Sequence, residues 1–183
     1  MKRKRILAII SLVPAAALAL MLSATGAEGG GAASAMLKDS TGQMAGYVHI
    51  STTSGNRLLV AAQLTKRGAV TPGFHGFHIH TVGSCVPPFT SAGGHLGSVE
   101  GQVHSDHAGD MPSLLATRDG RGMIIFYTDR AMLDQIFDAD GASVIVHAGP
   151  DNFANIPLRY GGPDAITLAT GDAGARALCG ELK

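Results

Sequence analysis

The chain has 183 residues, about one domain's worth, with 14 Lys+Arg against 14 Asp+Glu and no Trp. Its 45% hydrophobic content excludes a disordered chain. Zero formal net charge argues against a dedicated nucleic-acid binder, and 25 Gly with 8 Pro argue against an all-helical architecture.

Lys2, Arg3, Lys4 and Arg5 open the chain. An apolar run from Ile6 to Leu22 follows, interrupted at Ser11 and Pro14, and then small residues up to Ala27. This order of regions reads as a signal peptide over 1–27, cut after Ala27. The other reading is an uncleaved anchor, which is the only route to a membrane; Pro14 and the shortness of the run argue against it. No Cys lies near the cut, so a lipid-modified terminus is not expected. The mature part keeps 10 bases and 14 acids, net −4, because the removed segment carries four bases and no acid. Its destination is secreted or periplasmic, in the cell envelope. Cys85 and Cys179 are the only cysteines, and in an oxidising space they are expected to pair. Two free thiols or a metal-bound pair is the alternative.

Residues 28–34 read as a flexible tether, and the domain runs from Ala35 to Lys183. Gln43 to Ser51 alternates, with Met44, Gly46, Val48 and Ile50 on one face. Arg57 to Thr65 repeats the pattern through Leu58, Val60, Ala62 and Leu64. Phe74–His80 and Ser143–His147 are further strands. Leu114–Thr117 and Met123–Thr128 flank Arg118-Asp119-Gly120-Arg121, a hairpin signal. Ala131 to Phe137 is a weak helical candidate. Short strands with Gly-rich turns predict an antiparallel sandwich or barrel. Residues 81–112 and 148–175 lack periodicity, and long irregular loops in a compact domain are usually functional.

Six of the eight histidines, His75, His78, His80, His95, His104 and His107, fall within residues 75–107. A strand repeats every two residues, so His78 and His80 share a face, a spacing that suits two imidazoles on one metal. His75 lies on the opposite face with Phe77 and Ile79 and reads as a core histidine bonded to backbone. His49 reads as a surface residue. His-x-His alone is a weak signal; His95, His104, His107, Asp110, His147 and Asp151 strengthen it. Neutral imidazoles suit copper and zinc, and an added carboxylate suits zinc.

Five segments together resemble the secreted bacterial copper-zinc superoxide dismutases. They are Gly-Phe-His-Gly-Phe-His-Ile-His at 73–80, Ser-Ala-Gly-Gly-His at 91–95, His-Ala-Gly-Asp at 107–110, Val-Ile-Val-His at 144–147, and Gly-Asp-Ala-Gly-Ala-Arg-Ala-Leu-Cys-Gly at 171–180. The resemblance implies an all-β fold, a flattened eight-stranded antiparallel Greek-key barrel with two long functional loops. It implies dismutation of superoxide to O₂ and H₂O₂ at a redox-cycling copper. His78, His80, His95 and His147 resemble the copper ligands, and His95, His104, His107 and Asp110 the zinc ligands, with His95 bridging. Asp151 resembles the carboxylate that links a copper histidine to a zinc histidine. Arg176 resembles the arginine that guides the superoxide anion, and Cys85 and Cys179 match the family's disulfide.

The segment from His95 to Asp110 is shorter than in most members, and His104 lies only three residues before His107. That makes His104 the least direct of these assignments. Of the competing functions, a non-catalytic copper-binding protein would need the copper histidines but not Arg176. A zinc hydrolase lacks its His-Glu-x-x-His, and a blue-copper carrier needs a Cys ligand. Nothing in the sequence chooses between monomer and homodimer.

Overall fold

The computed structural model describes residues 31–183. The expected signal peptide lies outside the described residues. Nine strands follow in order: β1 (Ala32–Lys38), β2 (Met44–Thr53), β3 (Arg57–Leu64), β4 (Gly73–His75), β5 (Phe77–His80), β6 (Leu114–Ala116), β7 (Gly122–Thr128), β8 (Ser143–His147) and β9 (Arg176–Glu181). Seven form one antiparallel sheet ordered β5-β8-β9-β1-β2-β3-β7, and β4 pairs with β6. β4 and β5 are one extended segment broken at Gly76, so the chain contributes eight such segments, as expected. β6 and β7 form the predicted hairpin, with the Thr117 amide donating to the Arg121 carbonyl. The ring therefore closes through β7, β6 and the β4–β5 segment. The β3–β4 and β7–β8 connections cross neighbouring strands, which is the Greek-key feature.

Strand alternation builds the core. Leu58, Val60, Ala62 and Leu64 on β3 point inward with Val48 and Ile50 on β2 and Phe77 and Ile79 on β5. Inward alternation on β8 and β9 adds Val144, Val146 and Leu178. Two boundaries differ from the sequence reading. Ala32 to Ser34, expected as tether, belong to β1, because Ala33 is buried and Ser34 exchanges both backbone hydrogen bonds with Lys183. Met44, expected inward, is 50% exposed, while Ala45 is buried in its place. The cause is a bulge: Leu37 pairs with Gly46 but Lys38 with Met44.

The helical candidate is one turn, Leu133–Ile136, with Ile136 buried. The second long loop holds a further short helix, Ala165–Thr170, that its sequence did not reveal. Asp164 caps it by accepting from the Ile166 and Thr167 amides. Six residues are too few to display a helical period. Cys85 and Cys179 form the expected disulfide, Cα atoms 5.6 Å apart, which ties the first loop to β9.

Candidate metal centre

β5 carries His78 and His80 side by side on the sheet, and β8 ends in His147. The first loop returns along β5. Ile79 accepts from the Leu96 amide, donates to the Gly109 carbonyl, and so draws His95 and Asp110 against the two histidines. Gly109 is required by this approach: a Cβ there would sit 2.1 Å from the Ile79 carbonyl oxygen. A second bulge, between Val146 and His147, sets His147 opposite Arg176 at the start of β9.

His78, His80, His95, His104, His107, His147, Asp110 and Asp151 are all buried. Two groups of four are compact enough to hold one ion each: His78, His80, His95 and His147, and His78, His95, His104 and Asp110. His107 adjoins the second, its Nδ1 3.2 Å from an Asp110 oxygen. All the proposed site histidines thus converge. His75 stands apart as expected, buried, with its nitrogens bonded to the His147 and Thr71 carbonyls. His49 is exposed and bonds Ser34.

Each ring is aimed by one nitrogen. His80 Nδ1 donates to the Gly93 carbonyl and His147 Nδ1 to the Gly174 carbonyl. The Asp151 carboxylate accepts from His78 Nε2 at 2.7 Å and from His104 Nε2 at 2.8 Å. Of the other nitrogens, His78 Nδ1, His80 Nε2 and His147 Nε2 are buried without a hydrogen-bond partner, while His104 Nδ1 and His107 Nδ1 face the Asp110 carboxylate at 3.0 and 3.2 Å. Burying one such atom costs about 1–3 kcal/mol, so the three at one locus call for a common partner. A cation is the partner that three lone pairs can share, and the donor sets of the two groups fit copper and zinc.

Electrostatics separate the two halves. Burial pushes the pKa of His78 down to about 4 and of His147 to about 3, and lowers that of His80 as well. Burial acts the same way on His104, but the carboxylates of Asp110 and Asp151 outweigh it and raise it to about 9. Burial works against both carboxylates, yet hydrogen bonds from His104 hold them below the usual range, with His95 helping at Asp110 and His78 at Asp151. Arg176 is fixed by donating to the Phe89 carbonyl at 2.6 Å and to the Gly93 carbonyl at 2.5 Å. Gly93 thereby joins the guanidinium to His80.

The sequence profile of copper/zinc superoxide dismutases matches residues 44–182. The chain belongs to the copper/zinc superoxide dismutase family. It is 43% identical over 141 residues to a superoxide dismutase [Cu-Zn] of Mycobacterium tuberculosis, covering 67% of this chain and 58% of the relative. It is 33% identical over 164 residues to that of Caulobacter vibrioides, covering 82% and 85%. A solved superoxide-dismutase-like protein from Bacillus subtilis superposes with a TM-score of 0.63 at 28% identity, covering 80% of this chain and 95% of that one. The chain spans 58–62% of the length of the mycobacterial relatives it matches.

Within this dismutase fold, several contributors escaped the sequence reading. Gly171 lies over the Asp151–His104 contact at φ +59°, where a Cβ would fall 2.0 Å from Asp151 Oδ1. Its only signal was its place in the 171–180 motif. Phe153 lies near-parallel to the His104 ring, centroids 6.4 Å apart. The carbonyls of Gly93 and Gly174 orient the His80 and His147 rings but belong to backbone, which carries no residue signal.

Proposed function

We propose that this chain dismutates superoxide to O₂ and H₂O₂ in an extracytoplasmic space. His78, His80, His95 and His147 would hold copper, and His95, His104, His107 and Asp110 would hold zinc. The observation that carries the reading is the set of three unpartnered, buried imidazole nitrogens beside a fixed guanidinium, with His104 and His107 turned to the Asp110 carboxylate. His95 belongs to both groups, with Nδ1 2.7 Å from Asp110 Oδ1, and the family resemblance makes it the ring they share.

Copper would supply reversible one-electron chemistry when bound, and His95 would be steadied by zinc. Arg176 attracts and orients the anionic substrate with a permanent charge. Local charge does this work, because the mature chain is net negative. His95 Nε2 is the atom suited to carry one of the two protons that peroxide formation consumes. Asp151 keeps His78 and His104 in the tautomers that present Nδ1. The exported location rests on the leader-like sequence and on the disulfide.

The test is superoxide consumption by the purified copper-loaded mature chain, with and without zinc. Fast turnover supports the enzyme; slow turnover by fully loaded protein in both states establishes a copper carrier instead. In parallel, His104→Ala weakens zinc binding, and unchanged affinity removes His104 from the ligand set.

The proposal extends to a homodimer. Phe74, Leu115, Met123, Ile125 and Tyr127 lie exposed on adjacent strands β4, β6 and β7. The five side chains are uncharged, and the Arg57 guanidinium lies over the Tyr127 ring, 5.6 Å from its centroid. Sedimentation of Ile125→Lys tests it: the variant is monomeric where the parent is dimeric, and a monomeric parent refutes the dimer.

A further inference from the structure

The loop between His95 and Asp110 is held at three kinds of contact. Near its ends, Leu96 and Gly109 bond to Ile79 on β5. At His104 the amide donates to the Leu168 carbonyl of the second loop. Between His104 and His107 lies only Ser105-Asp106. There the Arg130 guanidinium donates through Nη1 to the Ser105 carbonyl, and Nη2 lies 4.0 Å from an Asp106 carboxylate oxygen. Arg130 itself is held just beyond β7, its amide donating to Thr128 Oγ1. It is the side chain that ties this two-residue link to the barrel among the described residues.

The link matters because both flanking rings aim at one carboxylate. His104 Nδ1 is 3.0 Å from Asp110 Oδ1, and His107 Nδ1 is 3.2 Å from Oδ2. A rotation of Ser105-Asp106 moves these two nitrogens relative to each other. A cleft of about 460 Å³ opens beside them, lined by Ser105, Asp110, Phe126, Arg130 and Phe153 among others, so little packing on that flank replaces the lost tie.

We propose that Arg130 is a positioning residue for zinc: it fixes the Ser105 carbonyl and through it the separation of His104 and His107. This rests on the ligand reading above. Among the described residues no hydrogen bond or ion pair joins Arg130 to His78, His80 or His147, whose rings are aimed by Asp151, Gly93 and Gly174. The effect is therefore selective.

The test is chelator competition for zinc on the mature, disulfide-bonded chain, with copper affinity measured in the same samples. Partners one step behind a ligand are worth 10–100-fold in metal affinity. Arg130→Ala is expected to weaken zinc binding about tenfold and leave copper affinity within twofold. Arg130→Lys keeps a donor for Ser105 and recovers part of the loss. The metal-free melting temperature stays close to the parent's, since the side chain is half-exposed. Zinc affinity within twofold of the parent overturns the proposal. So does equal weakening of both metals with a lower metal-free melting temperature, which marks a general structural role. Asp110→Ala is the control for the ligand reading: if it binds zinc as the parent does, that reading fails, independently of Arg130.

Discussion

Gly171→Ala isolates the bridge that couples the two metal halves. A Cβ at this position would sit 2.0 Å from Asp151 Oδ1 and 2.4 Å from His104 Nε2. Neither neighbour is a free side-chain end, because Asp151 also bonds His78 Nε2 and the Phe153 amide at 2.7 Å. Relief requires a displacement of roughly 1 Å, which takes a hydrogen bond of 2.8 Å out of range. Each charge-assisted bond lost in a buried site costs about 1.5–3 kcal/mol. Alanine at a left-handed φ adds about 1 kcal/mol. The expected outcome is a loss of roughly 2.5–4 kcal/mol in metal-free stability by urea denaturation and about 10–100-fold in zinc affinity. Gly174→Ala separates the two causes. Gly174 also has positive φ, +78°, but a Cβ there meets nothing within 4 Å. It should lose the conformational part alone and bind zinc normally. If Gly171→Ala matches Gly174→Ala in both measurements, Asp151 does not hold the two histidines in place as argued.

Three further outcomes follow from the geometry. Arg176→Ala should lower the rate constant for superoxide about tenfold and flatten its dependence on ionic strength, with copper still bound by visible spectroscopy; an unchanged rate constant rejects the steering role. Zinc affinity should rise about tenfold per pH unit between pH 6 and 8, because His104, raised to about 9 in the metal-free chain, must lose a proton to offer Nδ1. Copper affinity should stay flat there, since His78 and His147 are already neutral, and calorimetry in buffers of different ionisation enthalpy counts the protons. Replacing both Cys85 and Cys179 by Ala opens a loop of sequence separation 94 and should cost up to about 4–5 kcal/mol in urea denaturation. It should also slow turnover, because the same loop carries the Phe89 and Gly93 carbonyls that fix Arg176.

The sequence was most readable where side chains alternate against a core. β3 followed its pattern residue for residue because every inward position is apolar and no bulge intervenes. β2 failed at one end because a bulge reverses the faces, and bulges leave little trace in composition. Ala32-Ala33-Ser34 looked like tether because small residues carry no pattern; backbone pairing with Lys183 decides their conformation. The histidines were legible as a set, and the period of two placed His78 and His80 together. Which nitrogen each presents was not legible, because carbonyls of Gly93 and Gly174 choose it.

The two halves of the centre differ in what builds them. His78, His80 and His147 sit on paired strands, so strand geometry fixes their backbones and a local pattern foretells them. His104 and His107 sit on a loop with no regular structure, and tertiary contacts from Leu168, Asp151 and Arg130 fix them. Such contacts come from residues 25 to 64 positions away, so no local spacing encodes them. The same difference sets how each half tolerates change. A change in the loop leaves the strand-borne half intact, whereas the other half depends on a few individual contacts. His104 is held from outside the loop, by Asp151 and the Leu168 carbonyl.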